Sequence, residues 1–237
     1  MSPFAAVALE ARIEIGEFGL DGATDLELEA AYALLDEAER GRAAAFVFAI
    51  DRDRFVQAHA YLRRRLGDVL GVAPKDVPIV APKDEKPVVD GRRIDFNLSH
   101  SGALAVLAVT DGPEVGIDVE LLDWSQRFAE DLQGLAEHCL TPSEQELLFA
   151  APASERVRIF FGIWTAKEAR MKLTGEGFAL DPKEIELEFR DRLPVAYLRP
   201  QTPAADLRFI PLSHPDAICC LAVSRERLGT IATPKRG

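Results

Sequence analysis

Apolar residues recur along this chain at helical spacing in two long stretches. From Asp53 to Leu70 they fall three or four positions apart, which predicts a helix that ends at Gly71. A second long helix is predicted from Ser154 to Leu173, ended by Gly175. A shorter strand is expected at about 4–15, and shorter helices are expected at about 25–35 and within 124–138. Another helix is expected to begin after Asp36, whose carboxylate caps it, and to end at 46 or 48.

A shorter stretch, Val115 to Glu120, alternates with period two, as a β-strand does. Its valines and isoleucine would be buried on one face, so that Asp118 and Glu120 lie side by side on the other. Two unpaired carboxylates repel each other unless a cation lies between them. Oxygen ligands suit Mg²⁺, which keeps its waters and also binds phosphate oxygens of a substrate. Taken alone, the pattern is more typical of a solvated strand edge than of a metal site.

The residues before this strand predict a hairpin. Phe96 to Gly102 is polar enough to indicate a loop, the apolar run 103–109 indicates a strand, and Asp111-Gly112 is a turn signal. Counting from the turn pairs Ala103 roughly with Glu120. We therefore expect His100 to lie near Asp118 and Glu120.

One motif occurs twice. The stretch Leu98 to Thr110 matches Leu212 to Ser224 without a gap, at an offset close to half the chain. Chance similarity of two apolar strands is one explanation. The other is an α/β (α+β) fold of two similar lobes, which we place at 1–114 and 115–230. Residues 231–237 would then form a disordered tail. A ligand would bind in the crevice between the lobes.

The composition of the chain argues against several classes of protein. The chain has 237 residues, of which 48% are hydrophobic and 28% charged, as in globular proteins. A net charge of −11 argues against non-specific nucleic-acid binding. Three cysteines, an odd number, indicate reduced thiols, and neither a secretory signal nor a transmembrane stretch is recognisable. We therefore expect a cytoplasmic protein that binds neither nucleic acid nor a membrane.

The second long helix supplies further charged residues. Glu168 lies between Lys167 and Lys172, so that three carboxylates from two elements are available with lysines and a histidine. Such a set suits a metal-bound pyrophosphate, with one carboxylate free to take a proton from an incoming hydroxyl. A surface pair of Glu168 with Lys172 is the alternative, and a capping box at Thr141–Glu144 already accounts for Glu144.

Three strings in this order resemble one family. They are Phe96-Asn97-Leu98-Ser99-His100-Ser101, Gly116-Ile117-Asp118-Val119-Glu120, and Trp164-Thr165-Ala166-Lys167-Glu168-Ala169 with Lys172 after it. They resemble the surfactin-type (Sfp-type) 4′-phosphopantetheinyl transferases, and the resemblance covers about residues 39–180. It implies a fold of two lobes related by a pseudo-twofold axis. It also implies coenzyme A in the cleft as co-substrate, and an acyl- or peptidyl-carrier protein whose serine accepts the phosphopantetheine arm as 3′,5′-ADP leaves.

The resemblance also implies roles for individual residues. Asp118, Glu120 and Glu168 would bind Mg²⁺, and Glu168, Asp118 and Lys172 would serve catalysis, with Glu168 the candidate base. Contacts to coenzyme A would come from Arg54, Lys86, Ser99, His100, Lys167 and Lys172. Two departures affect the nucleotide end: Asp84-Glu85 replace the aromatic-glycine pair usual before the lysine, and Arg42 replaces a lysine of some members.

Two other functions fit the same residues. One is a Mg²⁺-dependent phosphohydrolase that cleaves coenzyme A or a related nucleotide pyrophosphate with water in place of serine. The other is a non-catalytic subunit that binds coenzyme A, which the intact acidic trio disfavours. For the transferase we expect a monomer, with the carrier protein contacting Trp124 and Phe128.

Overall fold

The computed structural model describes residues 13–82, 85–91, 94–122 and 131–227. Within them the helices and strands follow one another in the order β1 (Ile13–Gly19), α1 (Asp25–Tyr32), α2 (Glu37–Ala44), α3 (Ala49–Leu70), β2 (Ile79–Val80), β3 (Val88–Val89), β4 (Asp95–Ser101), β5 (Leu104–Thr110), β6 (Pro113–Leu121), α4 (Leu132–Cys139), α5 (Pro142–Phe149), α6 (Ala153–Thr174), β7 (Glu186–Arg190), β8 (Leu193–Arg199), β9 (Ala205–Phe209) and β10 (Ala217–Arg227). This mixture confirms the predicted α/β class.

The first half builds an antiparallel sheet in the order β1–β5–β4, covered by α3. Apolar residues of α3, such as Leu62 and Leu66, pack against Phe96 and Leu107 on one face of the sheet. Gly71 ends α3 as predicted, in the left-handed conformation (φ 69°) that glycine adopts without strain.

The second half repeats this plan with an antiparallel sheet in the order β6–β10–β9, covered by α6. Helix α6 approaches β6 closely at Gly116, where an added Cβ would lie 2.1 Å from the carbonyl oxygen of Ala169. Gly175 (φ 76°) ends the helix, as predicted. A glycine at position 116 thus allows α6 to contact the strand that carries Asp118.

A shared core joins the two sheets. Ile13 and Ile15 from β1 pack in one cluster with Val115, Ile117 and Val119 from β6, together with residues of β5 and β10. The alternate residues of β6, at positions 116, 118 and 120, therefore face α6. The two faces of β6 are those that its sequence predicts.

Two predictions about the centre of the chain are wrong. Residues 96–101 form the strand β4 rather than a loop, and β5 pairs with β1 and β4 rather than with β6. The true hairpin is β4–β5, closed at Gly102, whose positive φ of 55° suits a tight turn. The Asp111-Gly112 turn instead carries the chain from one sheet to the other.

The two copies of the internal repeat correspond in their central strands alone, since residues 98–101 lie in β4 whereas the matched residues 212–215 lie between two strands. The two copies place β5 and β10 as the central strands of their sheets. However, Val106 points into the core between the sheets, whereas its matched residue Cys220 packs toward α6. A shift of one residue turns every side chain of a strand to the opposite face, so the equivalent positions are one residue out of step with the sequence match.

The other helix and strand boundaries are compared with the predicted ones as follows. Helix α3 begins four residues earlier than predicted, and the strand expected at 4–15 is seen only from Ile13, since residues 1–12 lie outside the described part. Of the helix expected within 124–138, residues 132–138 are seen in α4, whereas residues 124–130 and the predicted tail 231–237 lie outside the described residues. None of the described helices has the length and apolarity needed to span a bilayer.

Candidate functional site

Strands β4 and β6 are joined by side chains instead of by a backbone ladder. Four alternate side chains of β4 accept hydrogen bonds from four alternate backbone N–H groups of β6, which lies at an edge of its own sheet. The pairs are Asp95 with Val115 (2.7 Å), Asn97 with Ile117 (2.8 Å), Ser99 with Val119 (3.3 Å) and Ser101 with Leu121 (3.1 Å). We call this set the β4–β6 ladder. It satisfies backbone donors that would otherwise be buried without partners.

Asp118 lies at the centre of the site that the ladder creates. Its Oδ1 accepts hydrogen bonds from the Ser99 hydroxyl (2.9 Å) and from the Lys172 ammonium (2.5 Å). Its Oδ2 is buried and has no hydrogen-bond partner within the part of the chain that the structure describes. An unpartnered buried carboxylate oxygen is costly, and a cation or a donor from a ligand would satisfy it.

Two more carboxylates surround Asp118. Burial raises the pKa of Glu120 to about 7, with the charge of Asp118 adding to the shift. Burial likewise raises the pKa of Glu168, again helped by Asp118. The three acids are thus close enough to repel one another, as the alternation of β6 and the position of Glu168 on α6 predict.

Lys172 is the cation that this arrangement already contains. Its ammonium lies 3.0 Å from the Ser99 hydroxyl and 4.0 Å from a Glu168 oxygen. Burial alone would lower the pKa of Lys172, but the charges of Asp118, Glu168 and Glu120 outweigh burial and raise it. The lysine side chain remains 28% exposed, so it can also reach an anion in the cleft.

The site fits Mg²⁺ in the type of its donors but not yet in their arrangement. Carboxylate oxygens are what Mg²⁺ prefers, and Asp118 Oδ2 is free to accept one bond. Within the described residues, no three histidine, cysteine or acidic side chains lie close enough together to hold one ion. Lys172 binds the other oxygen of Asp118, so Mg²⁺ would bind at Oδ2, and the carboxylates of Glu120 and Glu168 would have to come closer to share the ion.

A pocket of about 340 Å³ opens between α3 and the opposite face of β4. His100 lines it, together with Arg42, Phe55, His59 and others. Because successive residues of a strand point to opposite faces, His100 enters this pocket while Ser99 and Ser101 face the acids. The hairpin from which a place for His100 beside the acids was predicted is not formed, and the side chain lies on the other side of β4, although the charge of Asp118 still acts on its imidazole. Desolvation, followed by the charge of Lys172, lowers the pKa of His100.

Buried charges support the wall of this pocket. Glu39 accepts hydrogen bonds from His59 (2.9 Å) and Arg63 (2.5 Å) while it caps α2. Burial opposes ionisation of Glu39, but the hydrogen bonds from His59 and Arg63 prevail and lower its pKa. Arg63 is 1% exposed and also binds Asp36 and two carbonyl groups. The arginine fixes the approach of α2 to α3 and is itself unavailable to a ligand.

Ser99 and Arg54 were predicted to contact coenzyme A, but in the structure their side chains bind other residues of the protein. Ser99 points its hydroxyl toward Asp118 and away from the pocket, so it supports the acids instead of contacting coenzyme A through that group. Arg54 is close enough to lower the pKa of His100, but its guanidinium binds Asp21 through two hydrogen bonds of 2.7 and 2.8 Å. A ligand anion would compete with Asp21 for Arg54.

Two lysines that were predicted to contact coenzyme A, Lys86 and Lys167, instead bind other groups of the protein. The Lys86 ammonium binds Asp95 (2.5 Å) and the carbonyl oxygen of Val115 (2.7 Å), which makes it a brace at one end of the β4–β6 ladder. Lys167 is fully buried, and its ammonium binds Glu144 and two carbonyl groups. Every ammonium proton of Lys167 has an acceptor, so this residue ties α5 to α6 and is closed to a phosphate.

Two features of the site are not predicted from the sequence. Ser101 belongs to the first motif string but has no predicted role, although alternate polar residues from Asp95 to Ser101 are the pattern of a strand with one polar face. Phe55 and His59 were assigned only to the helix, although their spacing of four places them on the same side as Arg63. The predicted carrier contacts Trp124 and Phe128 lie outside the described residues, as does Asp84.

Known proteins resemble the chain over both halves. Residues 23–111 match the family described as 4′-phosphopantetheinyl transferase, N-terminal, and residues 114–222 match the 4′-phosphopantetheinyl transferase superfamily. The chain is 40% identical over 166 residues to 4′-phosphopantetheinyl transferase HetI of Nostoc sp. (strain PCC 7120), a match that covers 68% of each chain. The chain belongs to the 4′-phosphopantetheinyl transferase superfamily. Membership confirms the enzyme class that the three strings predict.

Two further known proteins resemble parts of the chain. The 4′-phosphopantetheinyl transferase psf-1 of Bacillus pumilus is 35% identical over 144 residues, which cover 60% of this chain and 58% of psf-1. A crystal structure of a holo-(acyl-carrier-protein) synthase from Bacillus anthracis in complex with CoA (3′,5′-ADP) aligns at 22% identity with a TM-score of 0.40, covering 47% of this chain and 94% of that one. That structural likeness is too distant to assign residues of this superfamily member.

Proposed function

We propose that this superfamily member transfers the 4′-phosphopantetheine arm of coenzyme A to a serine of an acyl- or peptidyl-carrier protein, with 3′,5′-ADP as the other product. The observation that carries the proposal is the cluster of Asp118, Glu120, Glu168 and Lys172, in a chain 40% identical to a named transferase. Both sheets contribute to this cluster, since the ladder serines come from the first half and the acids from the second. One chain therefore supplies a whole site, which supports the Sfp-type subfamily and a monomer.

Coenzyme A is proposed to bind between the pocket beside His100 and the acidic cluster. The pocket combines aromatic and apolar residues with Arg42 and two histidines, a lining suited to a nucleotide base and its phosphates. Lys172 stands on the acidic side, where it would neutralise pyrophosphate oxygens.

Glu168 is the proposed general base. Burial and the charge of Asp118 raise its pKa, so that its carboxylate accepts a proton more readily than an ordinary glutamate. It would take the proton of the carrier serine as that oxygen attacks the β-phosphate of coenzyme A. Asp118, Glu120 and Glu168 would hold Mg²⁺, which supplies neutralisation of the pyrophosphate charge when it is bound.

The test is to incubate the protein with coenzyme A, Mg²⁺ and several apo carrier proteins, and to measure the intact mass of each carrier. The proposal predicts that at least one carrier gains a phosphopantetheine arm while 3′,5′-ADP accumulates in equal amount. Cleavage of coenzyme A with no mass gain on any carrier would overturn the proposal in favour of a phosphohydrolase.

A further inference from the structure

Two serines of β4 lie opposite the two acids of β6 in matching register. Ser99 donates its hydroxyl proton to Asp118, and Ser101 donates its own to Glu120 Oε2, each over 2.9 Å. The serines are two residues apart and so are the acids, so each serine on one strand meets one carboxylate on the other. Only these two members of the β4–β6 ladder contact a carboxylate of the acidic cluster.

The backbone of β6 determines which way the Ser101 hydroxyl points. A serine hydroxyl has a single proton to donate and lone pairs to accept with. The Leu121 N–H donates to the Ser101 oxygen over 3.1 Å, so it occupies the accepting side. The one proton is therefore left for Glu120, and the strand itself keeps it in that direction.

Glu120 needs such a restraint because its neighbours repel it. Asp118 and Glu168 both oppose the negative charge of Glu120. Without a donor the carboxylate would rotate away from them toward solvent. Ser101 holds one oxygen against β4, and among the hydrogen bonds of the described residues the other oxygen, Oε1, makes none. That second oxygen is left to face the cleft.

We propose that Ser101 is a positioning residue that holds Glu120 ready to bind the divalent cation. The inference rests on the proposed function. Ser101 itself contacts neither coenzyme A nor the reacting phosphate. It acts through Glu120 alone, as outer hydrogen-bond partners of metal ligands commonly do.

The test compares Ser101→Ala with Ser101→Thr, which keeps the hydroxyl. Manganese(II) binding is titrated by electron paramagnetic resonance with coenzyme A present and carrier protein absent. Ser101→Ala is expected to weaken cation binding by about 10-fold or more, and Ser101→Thr to restore most of it. Thr110→Val is the matched control, because Thr110 also accepts a backbone N–H (from Gly112, 3.0 Å). It lies outside the acidic cluster, so its cation affinity should equal that of the wild type.

A double-mutant cycle separates positioning from general support of the fold. In a Glu120→Gln background, Ser101→Ala should cause no further loss of cation affinity, since its only route of action is gone. An equal loss in both backgrounds, or wild-type affinity in Ser101→Ala, would overturn the proposal. The carrier assay is scored separately, so a wild type that binds manganese(II) without modifying any carrier refutes the transferase function and leaves the positioning role standing.

Discussion

At the scale of single residues, the site is a set of negative charges that the protein holds together at a cost. Asp118, Glu120 and Glu168 are packed around one ammonium, that of Lys172. The folded chain stabilises this arrangement with serine hydroxyls and a lysine, and among the described residues Asp118 Oδ2 has no hydrogen-bond partner. Such a loss of stability is expected where a site serves function, as proposed for this cluster.

The cost at Glu120 should be measurable as a pH dependence of stability. Its pKa is about 7 in the folded protein and near 4.5 when exposed, so the folded state holds the proton more tightly than the unfolded state. Stability therefore falls as the pH rises from about 4.5 to 7, by at most about 3 kcal/mol.

Glu120→Gln removes this titration. Without divalent cations, we expect the variant to be more stable than the wild type at pH 8, and the difference to disappear near pH 4.5. Urea unfolding at both pH values measures this. A constant difference across the range would contradict the pKa assigned to Glu120.

At the scale of elements, a buried ion pair joins two helices. Lys167 from α6 meets Glu144 from α5 at 2.6 Å, and both side chains are almost fully buried. Lys167→Ala leaves a buried carboxylate unpaired and should cost about 3–5 kcal/mol.

The double replacement Lys167→Met with Glu144→Leu tests the role of this pair. It should recover most of the stability lost in Lys167→Ala and should keep transfer activity, because neither residue reaches the cleft. Chemical denaturation and a carrier-mass assay measure the two quantities. A stable double variant without activity would restore the predicted role of Lys167 as a coenzyme A contact.

The contact between α6 and β6 should be equally sensitive. Gly116→Ala would place a methyl group 2.1 Å from the Ala169 carbonyl oxygen and 2.3 Å from the Leu173 nitrogen, so helix and strand must separate. We expect a loss of at least about 3 kcal/mol. Gly162→Ala, at a position of the same helix with open space around it, should instead gain about 0.5–1 kcal/mol. A tolerated Gly116→Ala would mean that β6 and α6 are not in close contact.

The elements also show what sequence patterns can and cannot predict. The long helices and the facing of Asp118 followed from local periodicity, because each depends on a single element. The partner of β6 did not, since Asp111-Gly112 is compatible both with a hairpin and with a crossing between sheets. The polar residues of β4 suggested a loop because side chains that replace a backbone ladder leave no apolar signal. Lys86 and Lys167 matched motif positions, but their partners Asp95 and Glu144 depend on packing that spacing does not reveal.

At the scale of the whole molecule, the two halves share one core. Ile13 and Ile15 of the first sheet are buried in a cluster that includes Val115 and Ile117 of the second half. Separating the halves would expose this cluster and break the β4–β6 ladder. We therefore expect one cooperative unfolding transition, with equal calorimetric and van't Hoff enthalpies. Two resolved transitions would contradict the shared core.

The acidic cluster between the halves is proposed to carry out phosphopantetheine transfer. The most direct test is the intact mass of an apo carrier protein after incubation with coenzyme A, Mg²⁺ and either the wild type or Asp118→Asn, with circular dichroism to show that both are folded. The wild type is expected to add the arm, and Asp118→Asn is expected to be slower by at least about 10³-fold, since the substitution removes the charge at the centre of the cluster. A folded Asp118→Asn variant that modifies the carrier at the wild-type rate would contradict this role of the cluster.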